Sequence, residues 1–185
     1  MASKTYIGLL RGINVGSSTR VPMDRLRALC EEIGWYDVRT YIQSGNIVFR
    51  STSHRQALEA QLERALPRAF GITPAVVVRN SSEWAAIAAL NPFVEEARQS
   101  PSRVMLAISK RPPAPGALES LQARAGSERI ARTGDAIWIY YADGAGRSKL
   151  TPAVLDRVVG SPVTTRNLNT VLKLASLARS VGGDS

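Results

Sequence analysis

The 185-residue sequence contains one cysteine and one histidine. With Cys30 alone, no disulfide framework can form. Cys30 falls on the apolar side of an expected helix, where a buried thiol is inert. With His54 alone, zinc centres built from several His and Cys ligands are excluded. His54 opens a polar helix and reads as an exposed helix-start residue, which disfavours Ser-His-Asp and Cys-His catalysis. No metal and no cofactor are expected. Apolar runs of membrane-spanning length are lacking. Met1-Ala2-Ser3-Lys4 leads straight into a strand, without a signal-peptide pattern. These absences imply a cytoplasmic protein with no membrane partner. Aromatic residues make up only 6% of the chain. The stacked-aromatic pattern of an RNA-recognition sheet is missing, since Asn46-Ile47-Val48-Phe49 does not supply it. Trp138 and Tyr140 share one strand face and read as core packing.

Hydrophobic content of 44% and charged content of 21% fit an ordinary soluble protein. The length suits one compact domain or two small subdomains, burying roughly 70% of the unfolded surface. The net charge of +9 invites a nucleic-acid reading. That reading is weakened by the spread of the charge: residues 1–80 carry 11 basic and 6 acidic groups, and residues 101–185 carry 12 and 6. No block of five like charges occurs.

Tyr6 to Leu10 reads as a buried strand ending at Arg11-Gly12. Pro22 opens a helix in which Met23, Leu26, Leu29, Cys30 and Ile33 recur at helical spacing, and Gly34 stops it. Val38 to Ile42 and Ile47 to Arg50 flank Ser44-Gly45-Asn46, a hairpin signal. Ser53 and Gln56 form a capping box for the next helix, which Pro67 is expected to kink or end. Pro74 to Arg79 is a further strand. The order β-α-β-β-α-β is the ferredoxin-like arrangement. A short helix over about 82–90 ends at Asn91-Pro92, and 94–102 reads as a linker. The pattern then repeats: strand 103–109, helix 117–124, a hairpin around Gly134-Asp135, a helix opened by Thr151-Pro152, and a short strand at Val163-Thr164. A last helix runs over about 167–180. The expected fold is α+β, with two ferredoxin-like halves and a C-terminal helix. The expected boundaries are 1–93, a linker at 94–102, 103–180, and a disordered tail at 181–185.

Four polar segments fall where strands give way to turns or helices. Gly12 and Gly16 bracket the first loop, with Arg11 and Asn14 beside them. This is no dinucleotide fingerprint, because Gly-x-Gly-x-x-Gly is absent. Gln43-Ser44-Gly45-Asn46 suits a β-turn, yet Gln43 has no turn role and offers an available amide. Gly144-Ala145-Gly146-Arg147-Ser148-Lys149 fails the Walker template, which excludes ATPase chemistry of that class. It remains a cationic loop able to meet a phosphate. Thr164 to Thr170 opens the last helix, where free N–H groups and Arg166, Asn167 and Asn169 would favour an anion. Lys173 lies further along that helix and reads as a surface charge.

These segments, together with Asn91-Pro92-Phe93, resemble the bacterial domain-of-unknown-function family 1697. The carrying motifs are Leu10 to Gly16, Thr40 to Asn46, Gly146 to Leu150, and Arg166-Asn167 with Asn169-Thr170. The resemblance spans about residues 5–180 and implies a cytoplasmic α+β protein that stands alone as a chain. It brings no chemistry with it. The family often carries Gly and Lys after the second glycine, where this chain has Ser17-Ser18-Thr19-Arg20. The family also often has Trp where this chain has Leu168.

Three functions follow in order. The first is binding of a phosphate-bearing ligand, a nucleotide or nucleic-acid segment, in one cleft. Arg11, Arg147, Lys149 and Arg166 would supply charge, and Asn14, Gln43, Asn46, Asn167 and Asn169 directional hydrogen bonds, with Ser44 and Ser148 as hydroxyls. The second is an enzyme on a phosphorylated or nucleotide substrate, with Asp143 as base and Tyr140 or Tyr141 as the nearest phenols. The third is an interaction module that pairs sheets with a partner, including a second copy of itself as a homodimer.

Overall fold

The computed structural model describes residues 2–16 and 20–183. In chain order its first elements are β1 (Lys4–Leu10), α1 (Met23–Glu32), β2 (Tyr36–Tyr41), β3 (Asn46–Ser51), α2 (Arg55–Phe70) and β4 (Val76–Asn80). Then come α3 (Ser81–Ala89), α4 (Val94–Gln99), β5 (Val104–Ser109), α5 (Ala117–Gln122), β6 (Arg129–Thr133) and β7 (Ala136–Tyr140). The last are α6 (Pro152–Val159), β8 (Val163–Asn167) and α7 (Leu168–Gly182). Short 3-10 turns occupy Pro101–Arg103 and Ala145–Arg147.

The strands make two four-stranded sheets, ordered β2-β3-β1-β4 and β6-β7-β5-β8. Every neighbouring pair is antiparallel. Each half is therefore a split β-α-β arrangement repeated once, the ferredoxin-like topology. The chain divides into two compact units, one from Met1–Ala85 with Leu174–Ser185, the other from Ala86–Lys173.

In the first unit, α1 and α2 place Leu26, Cys30, Leu58, Leu62 and Leu66 against Leu10, Ile47, Phe49, Val76 and Val78. Each of these leucines is fully buried, contributing about 1.5–3 kcal/mol. Trp35 stacks on Phe49 with ring centroids 3.7 Å apart. In the second unit, α5 and α6 place Leu121, Leu155 and Val159 over Ala107, Ile137, Ile139 and Val163.

Several details differ from the sequence reading. His54, and not Ser53, caps α2: its Nδ1 accepts the Ala57 N–H at 3.3 Å. Pro67 lies inside α2, which continues to Phe70. The missing N–H falls in the last turn, where burial of Leu62 and Leu66 outweighs one lost backbone bond. Residues 94–102, read as a linker, carry α4 and the first 3-10 turn. They are anchored by Phe93, whose ring lies 6.2 Å from that of Tyr140, and by the Arg129–Glu96 ion pair. The short strand at Val163-Thr164 extends to Asn167. In the expected tail, Val181 is buried in α7. Asp184 and Ser185 lie outside the described residues, as do Ser17, Ser18 and Thr19.

Side chains meet three of the four sheet edges. At β4, the N–H groups of Val76 and Val78 donate to Glu63 and Glu59 of α2, each at 3.0 Å. At β8, the Val163 N–H donates to Asp156 of α6 at 2.8 Å. At β6, Gln122 of α5 donates to the Ile130 carbonyl at 3.2 Å. The fourth edge, β2, has its register broken between Tyr36 and Arg39, with Asp37 at φ 53°.

Candidate functional site

In the first unit the loop after β1 and the β2–β3 turn pack on each other. The Leu10 N–H donates to the Gly45 carbonyl at 2.9 Å. Gly45 has φ 77°, and a Cβ there would stand 2.8 Å from Leu10 Cβ and from Ile13 Cδ1. Only glycine fits this turn. Asn14 Nδ2 donates to the carbonyls of Val21 (3.0 Å) and Gln43 (2.7 Å), and its Oδ1 accepts the Val21 N–H (2.7 Å). Asn14 thus clamps both ends of the loop to the turn. Asn46 is fully buried and donates to the Tyr41 carbonyl and to Ser44 Oγ. Both amides bond neighbouring loop backbone, and Asn46 also bonds the Ser44 hydroxyl.

The clamp leaves a groove of about 610 Å³ lined by Asn14, Gly16, Arg20, Gln43 and the first residues of α1. Gln43 is exposed on it. Arg20 also lines the groove. Asp24 lines the same groove and balances that charge. Arg11 is half-buried, and its backbone N–H donates to the Ala75 carbonyl.

In the second unit a cavity of about 330 Å³ forms between the loop before β6 and the loop after β7. Its charged lining is Arg124, Glu128, Asp143, Arg147 and Lys149. The two loops exchange serine–carboxylate hydrogen bonds. Ser127 Oγ donates to Asp143 Oδ2 at 2.6 Å. The Ser148 hydroxyl bonds Glu128 in turn. Glu128 also accepts the Gly126 N–H at 2.6 Å. The Ser148 hydroxyl, then the Glu128 and Gly126 N–H groups and the Lys149 charge, hold the Glu128 carboxyl below its usual range, against a smaller opposing effect of burial. Tyr141 behind them is buried, and its phenol is pushed up to about 12, by burial first and by Glu128 second. It therefore stays protonated at neutral pH.

The cations are differently placed. Arg124 donates to Ser120. Arg147 is exposed and makes no side-chain hydrogen bond or ion pair among the described residues. Lys149 is exposed, and among the described residues it makes no hydrogen bond or ion pair and acts on Glu128 through its charge. The cavity's acids have partners and its two loop cations remain available.

Residues 3–138 match the family described as "Protein of unknown function (DUF1697)". The chain belongs to this family. The matched stretch holds both first-unit motifs and Asn91-Pro92-Phe93, while the 144–149 loop and Arg166 to Thr170 lie beyond it. No curated protein matches this DUF1697 sequence. Among solved structures, the conserved bacterial protein SP0830 from Streptococcus pneumoniae is similar over 96% of this chain and 100% of its own. The TM-score is 0.75 at 21% identity, a likeness of fold.

The last motif of this DUF1697 chain is turned to structure. Arg166 is 9% exposed and donates to Thr164 Oγ1 (2.8 Å) and the Thr165 carbonyl (2.9 Å). Burial lowers its pKa, yet the guanidinium stays charged at neutral pH. Asn167 caps α7 by accepting the Thr170 N–H at 3.0 Å. Asn169 is exposed. None of these three lines the second-unit cavity. Among the residues that do, Glu128, Ser127 and Arg124 escaped the sequence reading. Gly126-Ser127-Glu128 looks like an ordinary turn, and its partners lie 16 to 20 positions away. Paired hydroxyl and acid residues flanking both ends of one hairpin are the signal that could have found them.

Proposed function

We propose that this protein binds a phosphate-bearing ligand through the 144–149 loop of its second unit. The reading is carried by one observation: among the described residues, Arg147 and Lys149 make no side-chain hydrogen bond or ion pair, beside a cavity whose carboxylates are already hydrogen-bonded. A guanidinium fork and an ammonium group on adjacent turns suit the several oxygens of a phosphate. Gly144, at φ 85°, leaves the backbone open to close approach. The cavity has room for a phosphate and the sugar of a mononucleotide at the low end of ligand-site volumes. Asp143 and Glu128 lie in the lining, so a ligand with one compact anionic group is favoured over a polyanion here.

The test is isothermal titration with inorganic phosphate, mononucleotides and dinucleotides, on wild type and on Arg147→Ala/Lys149→Ala. A member of the panel should bind wild type, and the double variant should lose at least about tenfold, the scale of one hydrogen bond to a charged group. Equal affinity in the folded double variant would refute the reading. The enzyme reading keeps one specific support, the Ser127 hydroxyl on Asp143. A ligand converted by wild type and not by Asp143→Asn would favour it.

A further inference from the structure

A second anionic contact emerges from α2. Its sequence contains Arg55, Glu59, Glu63, Arg64 and Arg68, a nearly balanced set. The fold separates the signs. Glu59 is buried and Glu63 half-buried, and both carboxylates accept backbone N–H groups of β4. Arg64 and Arg68 are exposed, one turn apart, on the flank of the helix away from those acids. Among the described residues, neither makes a side-chain hydrogen bond or ion pair. Arg25 of α1 lies elsewhere, its guanidinium 5.3 Å from the ring centre of Phe70, which helical spacing puts on the Glu59 and Glu63 side of α2.

We infer that this flank, Arg64 with Arg68, contacts the sugar–phosphate backbone of a nucleic-acid duplex. The side chains are all arginine, whose planar fork matches phosphate oxygens. No large hydrophobic side chain is exposed on α2, so the flank lacks the apolar anchor of a helix that lies in a lipid surface. It also lacks an exposed aromatic for base stacking, which single strands require. Contact with phosphates alone makes binding independent of sequence and steeply dependent on salt. The overall charge of +9 steers the same partner toward the protein. This contact belongs to the first unit and does not rest on the reading of the 144–149 loop.

The experiment is fluorescence anisotropy with a labelled DNA or RNA duplex of about 20 base pairs over a salt series. It compares wild type, Arg64→Gln/Arg68→Gln and Arg64→Lys/Arg68→Lys. Glutamine keeps the helix propensity, so the first variant should fold. Wild type should bind at low salt. The glutamine variant should lose about tenfold in affinity, and its slope of log affinity against log salt should be shallower by about two. The lysine variant should keep the slope. Three results would overturn the inference: no duplex binding by wild type at low salt, a glutamine variant with the wild-type slope, or tighter binding to anionic lipid vesicles than to duplex.

Discussion

Asn14 sits in the left-handed region at φ 55° with its whole amide committed to Val21 and Gln43. Replacing it with alanine removes three hydrogen bonds and leaves a strained backbone. Asn14→Ala should destabilise the protein by about 1–3 kcal/mol, read from the urea midpoint. Gly45→Ala should cost more, roughly 2–4 kcal/mol, because it adds overpacking on Leu10 and Ile13 to the left-handed penalty. A variant as stable as wild type would remove the tight turn from the account. Ile42 also has positive φ, at 47°, which a β-branched residue adopts at a cost of about 1–3 kcal/mol. At this scale the residue types were legible and their direction was not. Asn14, Asn46 and Asn167 read as hydrogen-bonding groups for a ligand; in the structure Asn14 and Asn167 bond backbone groups, and Asn46 bonds the Tyr41 carbonyl and Ser44 Oγ. Their direction is set by packing, as when Asn14 meets a carbonyl 29 positions away.

Helix carboxylates on strand edges recur in both halves, Glu59 and Glu63 at β4 and Asp156 at β8. An exposed row of N–H groups is a template for pairing with another chain, and these carboxylates occupy it. The sheet-pairing homodimer allowed by the sequence would have to displace them at those edges. Glu59→Ala should speed hydrogen exchange at the Val78 amide and cost about 1–3 kcal/mol, whereas Glu59→Gln should keep most of the protection. The two loops of the second-unit cavity give a pH prediction. The folded Glu128 carboxyl titrates below its unfolded range, so the interaction it makes is fully present above the ordinary glutamate pKa. It is lost as pH falls through the depressed value. The amide resonances of Gly126 and Ser148 should therefore move together only at pH below the ordinary glutamate range, and Glu128→Gln should abolish that titration. Helix starts with local signals were legible, as at Thr151, whose Oγ1 accepts the Val154 N–H at 3.3 Å. The helix at 94–99 was not, because its hold comes from Phe93 meeting β7 and Glu96 meeting β6, strands distant in sequence.

For the whole molecule, the doubled β-α-β-β-α-β order was readable because each half carries its own four strands and two helices with their turn residues. The limits of the compact units were not. The division falls inside α3 and α7, since the last residues of α7 belong with the first half. There, Gly182 lies where a Cβ would stand 3.4 Å from Thr5 Oγ1. Two of the four polar segments are in the first unit, where the loop after β1 and the β2–β3 turn interlock, and two are in the second, where only the 144–149 loop lines the cavity. The central claim is that this loop receives the phosphate. Titrating inorganic phosphate into isotope-labelled protein and following backbone amides tests it most directly. The account predicts shifts at Gly126, Gly144, Arg147 and Lys149, with Gly12 and Asn14 unmoved. Shifts confined to the first-unit loops, or none up to high phosphate, would contradict it.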